Sequence, residues 1–258
     1  MRRLAVFALT LSLPVAASAQ KDPAKPAAAP AAAAPSEALP DTLRPGDLDF
    51  SALPTGETTY TVRLLAPMQQ EIGTITDRTA RDGDVITRTS TVSIPMAGQN
   101  ETTRAEVDAD TYAFRMVTME GSTAAGTLAL EDGVVTGERA VAEQPGALPD
   151  PVAVNEVLDG PVFGGGLGFV LPRVLPLVEG HVHHVVAYSA RDGVTVERVS
   201  VLPAETLKPG GGAAVSLVPV EVVDGEQTMT YYVDPETRVV ELVRFSPQAG
   251  VEVEFDRD

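Results

Sequence analysis

From about Thr55 onward, apolar and polar residues alternate along the chain. In "VEVEF" (251–255), Val251, Val253 and Phe255 fall on one side of an extended backbone and Glu252 and Glu254 on the other. That period of two marks a strand with one buried face. The same texture recurs in "TTYTVRLL", "DVITRTSTVSI", "TYAFRMVTM", "GTLAL", "HHVVAYSA", "GVTVERVSVL", "AVSLVPVEVV", "MTYYV" and "RVVELVRF". Asp-Gly pairs separate such runs at 82–83, 132–133, 192–193 and 224–225. This dipeptide best tolerates the two positive φ angles of a type I′ hairpin turn. "DPET" at 234–237 supplies a fifth turn, with Pro235 pre-set for its second position. Connections this short leave no room for parallel crossovers. The pattern predicts an all-β fold: one twisted antiparallel meander of roughly ten strands, in a single β-rich domain spanning residues 55–258.

One stretch breaks the rhythm. Between about Ala140 and Leu177 the chain begins as a polar, proline-rich loop and ends strongly apolar, from Val162 to Val178. Pro172, Pro176 and the glycines at 164, 165, 166 and 168 argue against a long helix. A turn or two of helix between Leu167 and Leu175 still fits. So long an apolar excursion in an all-β chain has to be buried, and the concave face of the sheet is the place for it. Phe163, Leu167, Phe169, Leu175 and Leu177 are the side chains such a plug would present. They would line a hollow that holds a hydrophobic ligand, or they would fill an ordinary core.

Ahead of the strands the texture changes. Met1-Arg2-Arg3, an apolar run from Leu4 to Val15 and Ala17-Ser18-Ala19 make the pattern of an export signal. Residues 1–19 are therefore expected to be removed after Ala19, leaving a periplasmic or secreted protein. The run is shorter than the roughly 20 apolar residues that span a bilayer, and no transmembrane segment is expected elsewhere. Residues 20–54 are dominated by alanine and by prolines at 23, 26, 30, 35, 40 and 45, and read as a disordered Ala/Pro-rich linker. The chain has no cysteine. In a disulfide-permissive compartment its stability must then come from a core, and thiol catalysis and thiolate metal ligation are excluded. A formal charge of −17 repels phosphate backbones, so no nucleic-acid partner is expected.

The chemistry-bearing candidates are few. All three histidines lie in "HVHH": His181 and His183 share one strand face and His184 points to the other. Neutral imidazoles in an H-x-H pair suit zinc, but a catalytic site needs a third protein ligand, which only Asp or Glu from another strand could supply. Polar histidines on a strand are the simpler reading. No G-x-S-x-G elbow is present, and the glycines at 164–168 match neither a dinucleotide nor a Walker loop. Asp108 and Asp110 lack the calcium-loop spacing and fit a turn. A composition with no tryptophan and 5% aromatics lacks the aromatic girdles of an outer-membrane barrel. No cofactor is expected.

The segments "GTLALEDGVVTG", "LPRVLPLVEG", "VTVERVSVLPAETL" and "MTYYVDPETRVVELVR" resemble an exported bacterial family of unknown function. Its domain is an antiparallel half-barrel, similar in fold to the periplasmic carriers of outer-membrane lipoproteins. The resemblance runs from about Gly126 to Phe255 and implies a curved sheet whose hollow is closed by a short helical or loop segment. It carries over neither binding nor catalytic residues, and fold likeness does not transfer function. Three readings stay open. One is a non-enzymatic module binding a lipid or other hydrophobic ligand in the cell envelope. The second is an accessory envelope protein with a packed core, reaching a protein partner through its proline-rich arm. The third is a metal-dependent hydrolase using His181 and His183.

Overall fold

The computed structural model describes residues 41–258 apart from 52, 143, 144, 166 and 226. The expected export signal and residues 20–40 of the expected linker lie outside the described residues. In chain order the strands are β1 (Thr42–Leu43), β2 (Gly56–Ala66), β3 (Gln70–Asp82), β4 (Val85–Ile94), β5 (Gln99–Asp108), β6 (Phe114–Gly121), β7 (Ala124–Glu131), β8 (Val134–Val141) and β9 (Val152–Val157). They continue as β10 (Phe163–Gly164), β11 (Val182–Ser189), β12 (Gly193–Val201), β13 (Glu205–Leu207), β14 (Val215–Asp224), β15 (Gln227–Val233), β16 (Val240–Gln248) and β17 (Val251–Arg257). All belong to one sheet, in which β10–β17 lead in order into β2–β9 across a β17–β2 seam. Pairing is antiparallel except where β1 and β10 lie parallel to β11. The all-β fold expected from the sequence is observed, with more strands than the alternation revealed.

Two of the unforeseen strands, β3 and β5, share a cause. On β3 the buried row is Ile75, Asp77 and Thr79, and on β5 it is Gln99, Ala105 and Val107. Polar residues on the inner face erase the hydrophobic alternation that marks a half-buried strand. β9 falls inside the stretch expected to be a proline-rich loop, and it is the outermost strand on its side of the sheet. Hairpins form at all four Asp-Gly pairs, but only Asp132 (φ 50°) and Gly133 (φ 79°) supply the two left-handed residues of a type I′ loop. At 82–83 and 224–225 the aspartate is still paired in its strand and the glycine opens the loop. Gly193 is already the first residue of β12.

The sheet rolls without closing into a barrel. β10 stitches the roll, because Phe163 bridges Ala113 while β10 runs beside β11. The Phe114 amide donates to the Val162 carbonyl at 2.9 Å and the Gly164 amide to the Tyr112 carbonyl at 3.1 Å. Beyond this stitch, β6–β9 pass over the far face of β11. Tyr188 of β11 stacks on Phe114 at 4.7 Å and joins Val117, Met119, Leu128 and Val135 in a second core. Val185 and Ala187 on the opposite face of β11 belong to the main core. Arg139 Nη1 donates to the Ala190 carbonyl at 2.9 Å, and Arg191 Nη2 to the Ala142 carbonyl at 2.8 Å. These bonds fasten the overlap where no strand pairing does.

The apolar excursion does plug the hollow. A 3-10 turn (Leu167–Phe169) leads into the one-turn helix α1 (Leu171–Val174), and Leu167, Phe169, Val170, Leu171 and Leu175 are all buried. Phe169 lies 4.9 Å from the Tyr60 ring and 5.6 Å from the Tyr231 ring. A Cβ at Gly168 would run into the Tyr231 hydroxyl, so only glycine lets the plug approach this closely. The Asp234–Arg238 turn anchors its far end. Asp234 Oδ1 accepts from the amides of Glu236 (2.8 Å) and Thr237 (3.0 Å), and Arg238 takes a left-handed φ of 59°. Arg238 Nη1 then donates to the Leu175 carbonyl at 2.8 Å, while its own carbonyl accepts from Arg173 Nε at 3.2 Å. The described residues between 41 and 54, given to the linker by their composition, include two anchors on the sheet: Phe50 and Leu53 are buried, and Phe50 stacks on Tyr112 at 4.7 Å.

Candidate functional site

A cavity of about 180 Å³ lies between β4–β7 on one side and β11, β12, β14 and β15 on the other, with the plug residues Gly165, Leu167 and Gly168 on its wall. Val92, Val117, Met119, Ala187, Val222 and Met229 make much of its lining apolar. Charged groups from both sides reach it as well: Arg88, Glu101, Arg191, Glu197 and Asp224.

Two of those charges are cations with committed donors. Arg88 Nε donates to Asp77 Oδ1 at 2.6 Å, both side chains being buried, and the guanidinium lies 5.7 Å from the centre of the Phe169 ring. Burial by itself disfavours the Arg88 charge; the Asp77 carboxylate and its hydrogen bond outweigh that, and the net shift is upward. Arg191 spends its donors on the Ala142 carbonyl and on Thr123 Oγ1 at 3.1 Å. Glu101 is likewise engaged, accepting from Ser122 Oγ and from the Thr123 amide.

Glu197 and Asp224 are different. Neither carboxylate accepts a hydrogen bond or meets a cation among the described residues. The β12–β14 register pairs Arg198 with Val223, and its continuation sets Glu197 opposite Asp224 on the inner face. Like charges directly opposite one another on a strand pair are destabilising. Burial, then Asp224, pushes the Glu197 carboxyl up to about 7. Burial, then Asp192, raises Asp224.

Of the residues the sequence singled out for an apolar ligand, Leu167 lines this cavity. Phe163, Phe169 and Leu175 are buried in the main core, and Leu177 packs on it partly buried. His181 and His183 do share a face, their rings edge-to-face at 6.0 Å. His181 is exposed and His183 half-buried, with its Nε2 buried and unbonded. Burial, then His181, lowers the His183 pKa. Among the described residues no group of three or more His, Cys, Asp or Glu lies close enough to hold a metal ion. Asp108 closes a turn: its Oδ1 accepts from the amides of Asp110 (3.1 Å) and Thr111 (3.0 Å), and its Oδ2 from Arg115 at 2.7 Å.

A wider cleft of about 510 Å³ opens on the outer face, between β2, β16, β17 and the 207–211 loop. Four of its charges pair off. Arg63 pairs with Asp256 and Arg244 with Glu254, and the Gly210 amide donates to Asp256 Oδ1 at 3.0 Å.

Glu197 and Asp224 escaped the sequence because β12 changes parity. In "GVTVERVSV" the alternation predicts Val194 and Val196 inside and Glu197 outside. In the structure Val194 and Val196 are 41% and 48% exposed, while Glu197 shares the inner face with buried Val199 and Val201. Such a conflict between local pattern and fold is what a functional position produces.

No family model matches the chain, and no curated protein does. Among solved structures it is similar to a β-barrel-like protein from Brucella abortus, of a domain of unknown function designated DUF1849. The two are 10% identical with a TM-score of 0.45, over 78% of this chain and 94% of that one. Among the described residues no helix is long and apolar enough to cross a membrane.

Proposed function

We propose that the chain is an exported, non-enzymatic binding module that holds a small, largely apolar molecule in the cavity between the two sides of its rolled sheet. The observation that carries this reading is the cavity itself: an apolar lining interrupted by a few convergent polar groups, the usual composition of a small-molecule site. At about 180 Å³ it has the room of about six water molecules. That scale favours a compact hydrophobic ligand over a long lipid chain. Export rests on the basic, apolar and small-residue pattern of residues 1–19.

Native mass spectrometry of the protein from an exporting host tests this reading. The expected spectrum shows a non-covalent small-molecule mass, released on mild activation and absent from a Leu167→Trp variant whose larger side chain fills the cavity. A bare wild-type chain whose melting temperature no small amphiphile raises would overturn the reading.

A further inference from the structure

We propose that the ligand is an organic amine: an ammonium group seated between Glu197 and Asp224, with an apolar body against Met119, Met229 and Leu167. This rests on the cavity being a binding site, and it adds the chemical class of the occupant.

Charge accounting inside the cavity carries the inference. Arg88 is held by Asp77, Arg191 by Thr123 and the Ala142 carbonyl, and Glu101 by Ser122 and the Thr123 amide. Among the charged groups on the wall, Glu197 and Asp224 are the two carboxylates that meet neither a donor nor a cation among the described residues. Two carboxylates facing each other across a strand pair, with no cation between them, leave both charges uncompensated. A nearby positive charge is the occupant that offsets this repulsion. An anionic ligand would add a third negative charge to the same wall. A neutral apolar ligand would fill the volume and leave the carboxylates as they are.

The remaining lining suits the same occupant. Met119 and Met229 face the cavity from opposite sides, and methionine adapts to irregular apolar shapes. The Tyr231 hydroxyl contacts the Met229 sulfur at 3.5 Å, and Tyr231 belongs to the same wall. Aromatic faces and soft sulfurs accommodate ammonium groups and the methylenes next to them. The raised Glu197 pKa has the same origin, a buried carboxylate beside another acid.

Three probes of matched size, differing only in the head group, test the proposal: n-hexylamine, 1-hexanol and hexanoate. Each is titrated calorimetrically against the full chain at pH 8, where the amine is protonated. The expected result is that n-hexylamine binds about tenfold or more tightly than 1-hexanol, and that hexanoate binds weakest. Glu197→Gln and Asp224→Asn should each remove most of the amine preference and leave 1-hexanol binding unchanged. Retained hexanol binding also shows that those variants are folded. Equal binding of all three, or a preference for hexanoate, overturns the amine inference and leaves the cavity standing as a site. If none of the three binds, the cavity reading falls with it.

Discussion

The inner faces of β3–β5 and of β14–β17 are built from different material. On β3–β5 the inward row includes Asp77, Thr79, Arg88 and Gln99, all buried. On β14–β17 it is Val220, Val222, Tyr231, Val233, Val243, Val253 and Phe255. The apolar wall packs against the plug and carries the ordinary hydrophobic stabilisation of a core. The polar wall keeps its charges only because each meets a partner. Where the two walls approach across the cavity, Glu197 and Asp224 interrupt the second pattern and lack the compensation that the first always supplies. Among the described residues, the Asp77–Arg88 charges are paired and the Glu197 and Asp224 carboxylates are not.

Unpairing a charge on the polar wall has the largest expected effect. Asp77→Ala removes the carboxylate that holds buried Arg88, and its expected cost is about 3–5 kcal/mol. Val243→Ala on the apolar wall removes only buried methyl groups, at about 2 kcal/mol. Urea unfolding followed by tyrosine fluorescence reads both. The double substitution Asp77→Leu with Arg88→Met should recover most of the loss, because it deletes both charges together. A cost for Asp77→Ala no larger than that of Val243→Ala would mean that the polar wall is not held by electrostatics.

The next effect runs the other way, because Glu197 is the unpaired case. Its folded pKa, about 7 against an ordinary 4.5, is raised. Between those values the native state holds a proton that the unfolded chain has lost, so stability falls as pH rises through the window. The cost is fully present above about pH 7 and absent below about pH 4. Glu197→Gln should therefore stabilise the ligand-free protein at pH 8 by up to about 3 kcal/mol, and leave it unchanged at pH 4. A gain of equal size at both pH values would point to packing and not to charge.

The legibility of the fold follows the same division. On the apolar wall the alternation of "AVSLVPVEVV" and "VEVEF" reports strands directly, because hydrophobic and polar positions coincide with inside and outside. On the polar wall "QEIGTITDRTARD" carries Asp77 and Thr79 inward and escapes the pattern. The plug was readable, since Pro172, Pro176 and the apolar residues around them leave a short buried helix as the only comfortable solution. The carboxylate pair was not. Val194 and Val196 satisfy the alternation from the solvent side, and only the β12–β14 register reveals that Glu197 is turned inward. Phe50 and Leu53 were hidden by the alanines and prolines before them, since composition over a window cannot see two anchors at its end.

The smallest expected effect concerns the plug, whose Phe169 ring meets Arg88 of the polar wall and Tyr231 of the apolar one. Arg238→Ala loses the bond to the Leu175 carbonyl at an expected cost of about 1 kcal/mol. Alanine keeps the strain of a left-handed residue at φ 59°, whereas glycine relieves it. Arg238→Gly should then sit close to wild type in global stability while losing the same bond. Hydrogen exchange separates the two contributions. Both variants should speed exchange at the Leu175 amide, which donates to Leu171 inside α1, and neither should affect the β2–β3 ladder. Unchanged exchange at Leu175 in both variants would leave the plug held by its packed side chains alone. Its Arg238 tether would then be a feature of the turn and would have no hold on access to the cavity.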